Sequence, residues 1–173
     1  MPEGGVTVAV EDHTAEFLKK LQELAKMQVL VGIPEEKDAR QDGTAGNALI
    51  GAVMEFGSPA KNIPARPWLV PGVENGTPQA LVALESAAQA GLKGDAAGLD
   101  RGLNAAGLIL QNSVRAQISS NIPPPLAPAT IAARRRRFKA TGYRRQATSA
   151  ADTTTLVDTG QLRASITYVI SKT

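Results

Sequence analysis

The sequence predicts an α+β fold: a small mixed β-sheet packed against a long helix, with an extended basic arm before the C-terminal strand. Period-two alternation of apolar residues marks strands near both ends of the chain. One unbroken apolar stripe at helical spacing runs through residues 96–118, and a proline- and arginine-rich stretch at 122–155 follows it. At 173 residues the chain fits a single domain, 1–173, long enough to bury a core.

The elements follow in order. Val6, Val8 and Val10 alternate with Thr7, Ala9 and Glu11 as in a half-buried strand. Asp12 or Thr14 can cap the next segment, where Phe17, Leu18, Leu21, Leu24 and Ala25 recur at helical spacing, with Lys19, Lys20 and Glu23 on the outer face. Residues 27–34 (MQVLVGIP) are rich in β-branched side chains and end at a proline, so they predict a second strand. Residues 35–43 form a polar loop, and the small, apolar residues 45–56 a helix that Gly57-Ser58-Pro59 stops. Pro64, Pro67 and Pro71 interrupt residues 63–73 and predict an extended or turn-like segment throughout. Thr77-Pro78 reads as the start of a helix through Leu81, Val82, Leu84 and Ala88, closed by Gly91 or Gly94. Leu99, Leu103, Ala106, Leu110, Val114 and Ile118 then form the long stripe, ended by Asn121-Ile-Pro-Pro-Pro.

Residues 127–138 predict a short basic helix and 141–155 a mobile polar loop, which makes 122–155 the expected arm. The turn at Leu156-Val-Asp-Thr-Gly160 offers Asp158 or Thr159 as a cap for a brief helical turn. Ile166, Tyr168 and Ile170 alternate as the closing strand.

Composition excludes several kinds of chemistry. Hydrophobic residues make up 43% of the chain but aromatics only 3%, so the core rests on aliphatic side chains. No cysteine is present, which removes disulfides, thiolate metal sites and a Cys nucleophile. The Met-Pro-Glu-Gly-Gly start lacks a basic n-region and an apolar h-region, and no apolar run approaches the ~20 residues of a membrane helix. A soluble chain without a membrane partner is expected. The net charge of +3 conceals an asymmetry. Residues 1–100 hold eight Lys/Arg against fourteen Asp/Glu, a balance of −6, and residues 101–173 hold eleven against two, a balance of +9. Such polarity suits a nucleic-acid face or head-to-tail packing of identical subunits.

Four segments, in order along the chain, resemble the tailed-bacteriophage neck and tail-completion proteins, also described as head–tail connector, virion morphogenesis or minor tail proteins. They are Val31-Gly-Ile-Pro with Ala52-Val-Met-Glu-Phe-Gly-Ser58; Ile63-Pro-Ala-Arg-Pro-Trp-Leu69; Pro125-Leu-Ala-Pro-Ala-Thr-Ile131; and Leu156-Val-Asp-Thr-Gly-Gln-Leu-Arg-Ala-Ser-Ile-Thr167. Trp68 stands where the family usually has Phe. The resemblance covers about residues 28–170. It implies a structural virion protein, made in the host cytoplasm and assembled as a six-fold ring, with twelve-fold possible, at the head–tail interface. Its partners would be head-closure or connector proteins and the tail tube or tail terminator, with part of the DNA channel formed by the ring. A tail terminator capping the tube is the alternative position.

The motif residues carry two readings. Arg66 and Trp68, held on a proline-stiffened segment, are residue types favoured at interface hot spots, and Glu55 is expected with them at a subunit or ring interface. Equally, Trp68 can fill the chain's own core while Arg66 pairs with Glu55. Asp158 fits a capped turn, and with Arg163 could also reach a neighbouring subunit. Arg134, Arg135, Arg136 and Arg137, with Lys139, Arg144 and Arg145, form the sharpest charge cluster, interleaved with Phe138 and Tyr143. It suits docking between subunits or rings first, and transient nonspecific contact with DNA second.

Catalysis is not expected. The single histidine, His13, sits at a helix start; there is no G-x-S-x-G elbow or phosphate loop. Asp38 and Asp42 are too few ligands for a metal, and no cofactor is implied.

Overall fold

The computed structural model describes residues 14–40, 43, 45–140 and 153–172, with only the backbone of 137–140. Its elements are α1 (Thr14–Ala25), β1 (Met27–Gly32), α2 (Asn47–Phe56), α3 (Leu69–Leu92), α4 (Ala96–Ser119), α5 (Pro128–Ala140), α6 (Gln161–Ser165) and β2 (Thr167–Lys172). The class is α+β: helices joined to a two-stranded antiparallel sheet, with α3 and α4 packed together at the centre. The strand expected at Val6–Val10, the cap candidate Asp12 and His13 lie outside the described residues. Among those described, the sheet is antiparallel rather than mixed.

β1 and β2 join the two halves of the chain, with Val29 opposite Ile170 and Val31 opposite Tyr168. One face of the sheet lies on the helix pair, where Val29 and Val31 pack against Ala80, Ala106 and Leu110. The Tyr168 hydroxyl reaches across to Asn104 Oδ1 at 2.8 Å. The other face is open, and the opposed pair Leu30 and Val169 stands in solvent.

The sequence places a helix start at Thr77-Pro78, and here the structure differs. α3 begins eight residues earlier, at Leu69, and runs 24 residues to Leu92 with Pro78 inside it. Pro71 falls in the first turn, where the backbone amide has no helical acceptor, so its missing N–H costs nothing. Pro78 removes the donor that Glu74's carbonyl would otherwise use, on an exposed face open to solvent. Thr77 Oγ1 donates to the Val73 carbonyl at 2.7 Å in the adjacent turn. The end is as expected: Gly94, at φ +81°, turns the chain into α4. Asp95 caps α4 by accepting from the Gly98 amide at 2.8 Å.

α3 and α4 run antiparallel at backbone contact. The seam pairs Gly72 with Val114, Gly76 with Ser113 and Ala87 with Gly102. A Cβ on Gly102 would sit 2.5 Å from Ala87 Cβ and 2.8 Å from its Cα. Ser113 Oγ crosses the seam to the Gly72 carbonyl at 2.7 Å. The expected stripe is the buried face of α4: Leu103, Ala106, Leu110, Val114 and Ile118 are all buried. Its C-terminal half meets Trp68, Ile122, Leu156, Leu162 and Ile166 in the main core.

α1 packs on α3, where Leu24 lies against Gly91, and an exposed ion pair joins its C-terminal end to β2. Glu23 accepts from Lys172 of β2 and from Lys26 at 3.2 Å. The hydrogen bond from Lys172, then that from Lys26, with their positive charges adding, holds the Glu23 carboxyl below its ordinary value. A pKa lowered by folding stabilises above the ordinary carboxylate range, and the contribution is lost as pH falls through the lowered value. Because both pairs are exposed and screened by solvent, the effect is small: amide exchange at the C-terminal end of α1 is expected to speed up slightly in acid, and Glu23→Gln should give the same slight change at neutral pH.

Gly102→Ala separates two effects at the seam. Alanine improves helix propensity by about 1 kcal/mol, while overpacking against Ala87 costs about 1–3 kcal/mol. Because the clash involves Ala87 backbone, the clash is expected to win, and a thermal melt should show a lowered midpoint.

Candidate functional site

The four motif segments converge in space on one interlocked junction, and three buried charged side chains build it. The first is Glu55, in the last turn of α2 and only 8% exposed. Its Oε2 accepts from the amides of Trp68 at 2.6 Å and Leu69 at 2.8 Å, and its Oε1 from Val70 at 3.2 Å. Trp68 occupies the N-cap position of α3, and its own side chain cannot accept a hydrogen bond. The carboxylate arriving from α2 supplies the missing acceptors and a negative charge at the positive end of the helix. Asp38 does the same for α2, accepting from the Ala48 amide at 2.6 Å.

Gly57, at φ +76°, lets the chain leave α2 and fold back on it. A Cβ there would lie 2.8 Å from the Ala65 nitrogen. The returning strand-like segment is pinned by the Arg66 amide to the Met54 carbonyl at 2.7 Å. Trp68 is 3% exposed; its ring lies over Gly51, and its Nε1 donates to the Gly51 carbonyl at 3.0 Å.

The second charge is Arg66, 6% exposed. Its Nε donates to the Pro124 carbonyl at 3.0 Å and its Nη2 approaches the Pro125 carbonyl at 3.5 Å. The pairing with Glu55 that the sequence allows does not form, because Glu55 faces the α3 amides and Arg66 faces the proline turn. The third is Arg134, 7% exposed, from α5. Its guanidinium donates to the carbonyls of Thr154 (2.8 Å), Val157 (3.1 Å) and Thr155 (3.2 Å), and its Nε lies 3.8 Å from Asp158 Oδ1. A buried cation with carbonyl and carboxylate partners is satisfied rather than stranded. Thr155's own amide donates to Asn121 Oδ1 at 3.1 Å.

The arginine run thus divides. Arg134 is internal, while Arg135 and Arg136 are exposed on the other side of α5. Arg137 and Lys139 continue the helix, and Arg144 and Arg145 lie outside the described residues. The arm expected at 122–155 is helical over 128–140, and 141–152 lies outside the described residues. Asp158 is drawn to Arg134 rather than capping α6; the nearer cap contact is Thr159 Oγ1 with the Gln161 amide at 3.4 Å. Arg163 is exposed on α6. Sequence reasoning missed Arg115, whose Nη2 donates to the Ile166 carbonyl at 2.6 Å. A basic residue on a mostly apolar helix was the available signal.

Apolar side chains also remain in solvent: Phe56, 79% exposed, with Leu49 on α2; Val70, Leu81 and Val82 on α3; Phe17, Leu18 and Leu21 on α1. Among the described residues no group of three His, Asp or Glu could hold a metal, and no helix is long and apolar enough to cross a membrane. Comparison with protein-family models, curated proteins and solved structures finds no match.

Two substitutions separate the roles at this junction. Glu55→Ala leaves three α3 amides without their acceptor and should cost about 3 kcal/mol, a drop of several degrees in the thermal midpoint; Glu55→Gln, which keeps one acceptor, should cost less. Arg134→Met should free residues 153–158 for limited proteolysis, whereas Arg135→Met should leave both the melt and the digest unchanged.

Proposed function

We propose that this chain is a non-enzymatic structural subunit of a tailed-phage virion, forming a ring at the neck where the tail joins the head. The observation that carries the reading is the set of four family-like segments in their expected order. The structure adds a physical reason for such a set to occur together. Glu55, Arg66, Trp68 and the 156–167 segment are partners in one junction, so each is of use only with the others. In this reading the motifs fix the subunit's shape, and assembly falls to what they leave outside.

Two features support assembly. The first hundred residues are acidic and the remainder basic, so a copy carries groups of both signs with which to meet another copy head to tail. Exposed Phe56, Leu81 and Val82 are apolar side chains that a neighbouring copy could cover. Stacked rings of such subunits would seal the packaged genome, present a docking surface to the tail and leave a central passage for DNA. Head-closure or connector proteins and the tail tube are the proposed neighbours.

A second reading, nonspecific DNA binding, draws on the exposed Arg135 and Arg136. Mass photometry of the purified chain, alone and with isolated tails, distinguishes them. A ring of six or twelve copies, or one formed on the head-proximal end of tails, is the expected result. A persistent monomer that ignores tails yet binds duplex DNA with steep salt dependence would favour the second reading.

A further inference from the structure

A cleft of about 410 Å³ is lined by Arg115, Val157, Thr159, Gly160, Arg163 and Ala164. Two arginines and one threonine line it, and among the described residues no carboxylate does. Arg115 is held in place by the bond from its Nη2 to the Ile166 carbonyl, while its Nε is buried and meets no acceptor among the described residues. Arg163 is exposed and forms no ion pair among the described residues. Asp158, only five residues from Arg163, lies 3.8 Å from Arg134 Nε and does not itself line this cleft, although Thr159 and Gly160 border both this cleft and the one that Asp158 lines.

Arginines lining one cleft suit an oxyanion, and a planar carboxylate most of all, because it can accept two parallel N–H bonds from a guanidinium. The chain itself carries many such groups on its acidic half. Glu35, Glu36, Glu74 and Asp100 are exposed there, none of them in an ion pair. A duplex backbone is the other source of oxyanions, but it is bound by neutralising several phosphates along a stretch. A recess with two arginines fits one inserted side chain better.

We propose that the Arg115–Arg163 cleft receives a carboxylate side chain from the acidic half of a neighbouring copy, so that each subunit carries the socket for the next. The assignment rests on the ring reading and names the contact that closes it. Arg163 is the residue to change, since it is exposed and no fold contact depends on it, whereas Arg115 holds Ile166.

Arg163→Lys keeps the charge and places an amine in the cleft that a carbodiimide can join to a carboxylate. Mass spectrometry of the assembled variant should find an inter-subunit link from position 163 to an Asp or Glu within residues 1–100. Arg163→Glu should weaken assembly roughly tenfold or more at low salt with an unchanged thermal midpoint. If wild type assembles, Arg163→Glu assembles equally well and position 163 gives no link, the socket is overturned and the ring stands. Wild type that stays monomeric even with tails overturns the ring and the socket together. Loss of duplex binding by Arg163→Glu with assembly intact would make the cleft a phosphate site and overturn the carboxylate assignment.

Discussion

α3 can begin at Leu69 only because a carboxylate from another helix is waiting there. The segment before it, Ile63-Pro-Ala-Arg-Pro-Trp68, holds no side chain of a kind that caps a helix N-terminus. Glu55 supplies acceptors to three successive amides, and the consequences spread outward. Fixing the start of α3 fixes which residues face α4, so that Gly72, Gly76 and Ala87 fall on the seam. The seam sets the platform on which the sheet lies. The same contact holds Trp68 over Gly51, where it closes the core against Leu156, Leu162 and Ile166. Arg66 and Arg134 extend the lock to the proline turn and the 154–158 segment. Residues far apart in sequence are thereby held by backbone acceptors, which fix geometry more sharply than apolar packing alone.

What the sequence made legible follows from what is local. The α4 stripe, both described strands, the basic helix and the Gly160 turn depend on periodicity and nearby turn chemistry, and all are found close to where they are expected. The start of α3 was misplaced because its cap lies thirteen residues upstream, and Thr77-Pro78 imitates a start so well. Similarly, nothing in a run of four arginines distinguishes Arg134 from Arg135. The difference is the phase of α5 against the 154–158 carbonyls, a tertiary fact. Arg66 and Trp68 admitted two readings, and the structure places both inside the chain, with Arg66 on Pro124 rather than on Glu55.

This division bears on the proposed assembly. A subunit whose motif residues are occupied internally presents a stable shape, and the surface beyond it is free to carry charge and apolar contacts. In that proposal the charge split would give direction, exposed side chains such as Phe56 would give area, and the Arg115–Arg163 cleft would give one defined point of contact. Electrostatic complementarity of this kind selects register and partner more than it adds raw affinity.

On this reading the motif junction forms within the single subunit and precedes assembly. Hydrogen–deuterium exchange on the isolated chain and on the assembled form addresses it directly. The amides of Trp68, Leu69, Val70 and Thr155 should already exchange slowly in the isolated chain and change little on assembly, with new protection confined to outward-facing segments. Fast exchange at those four amides in the isolated chain, with protection appearing only on assembly, would contradict it and return Arg66 and Trp68 to the interface.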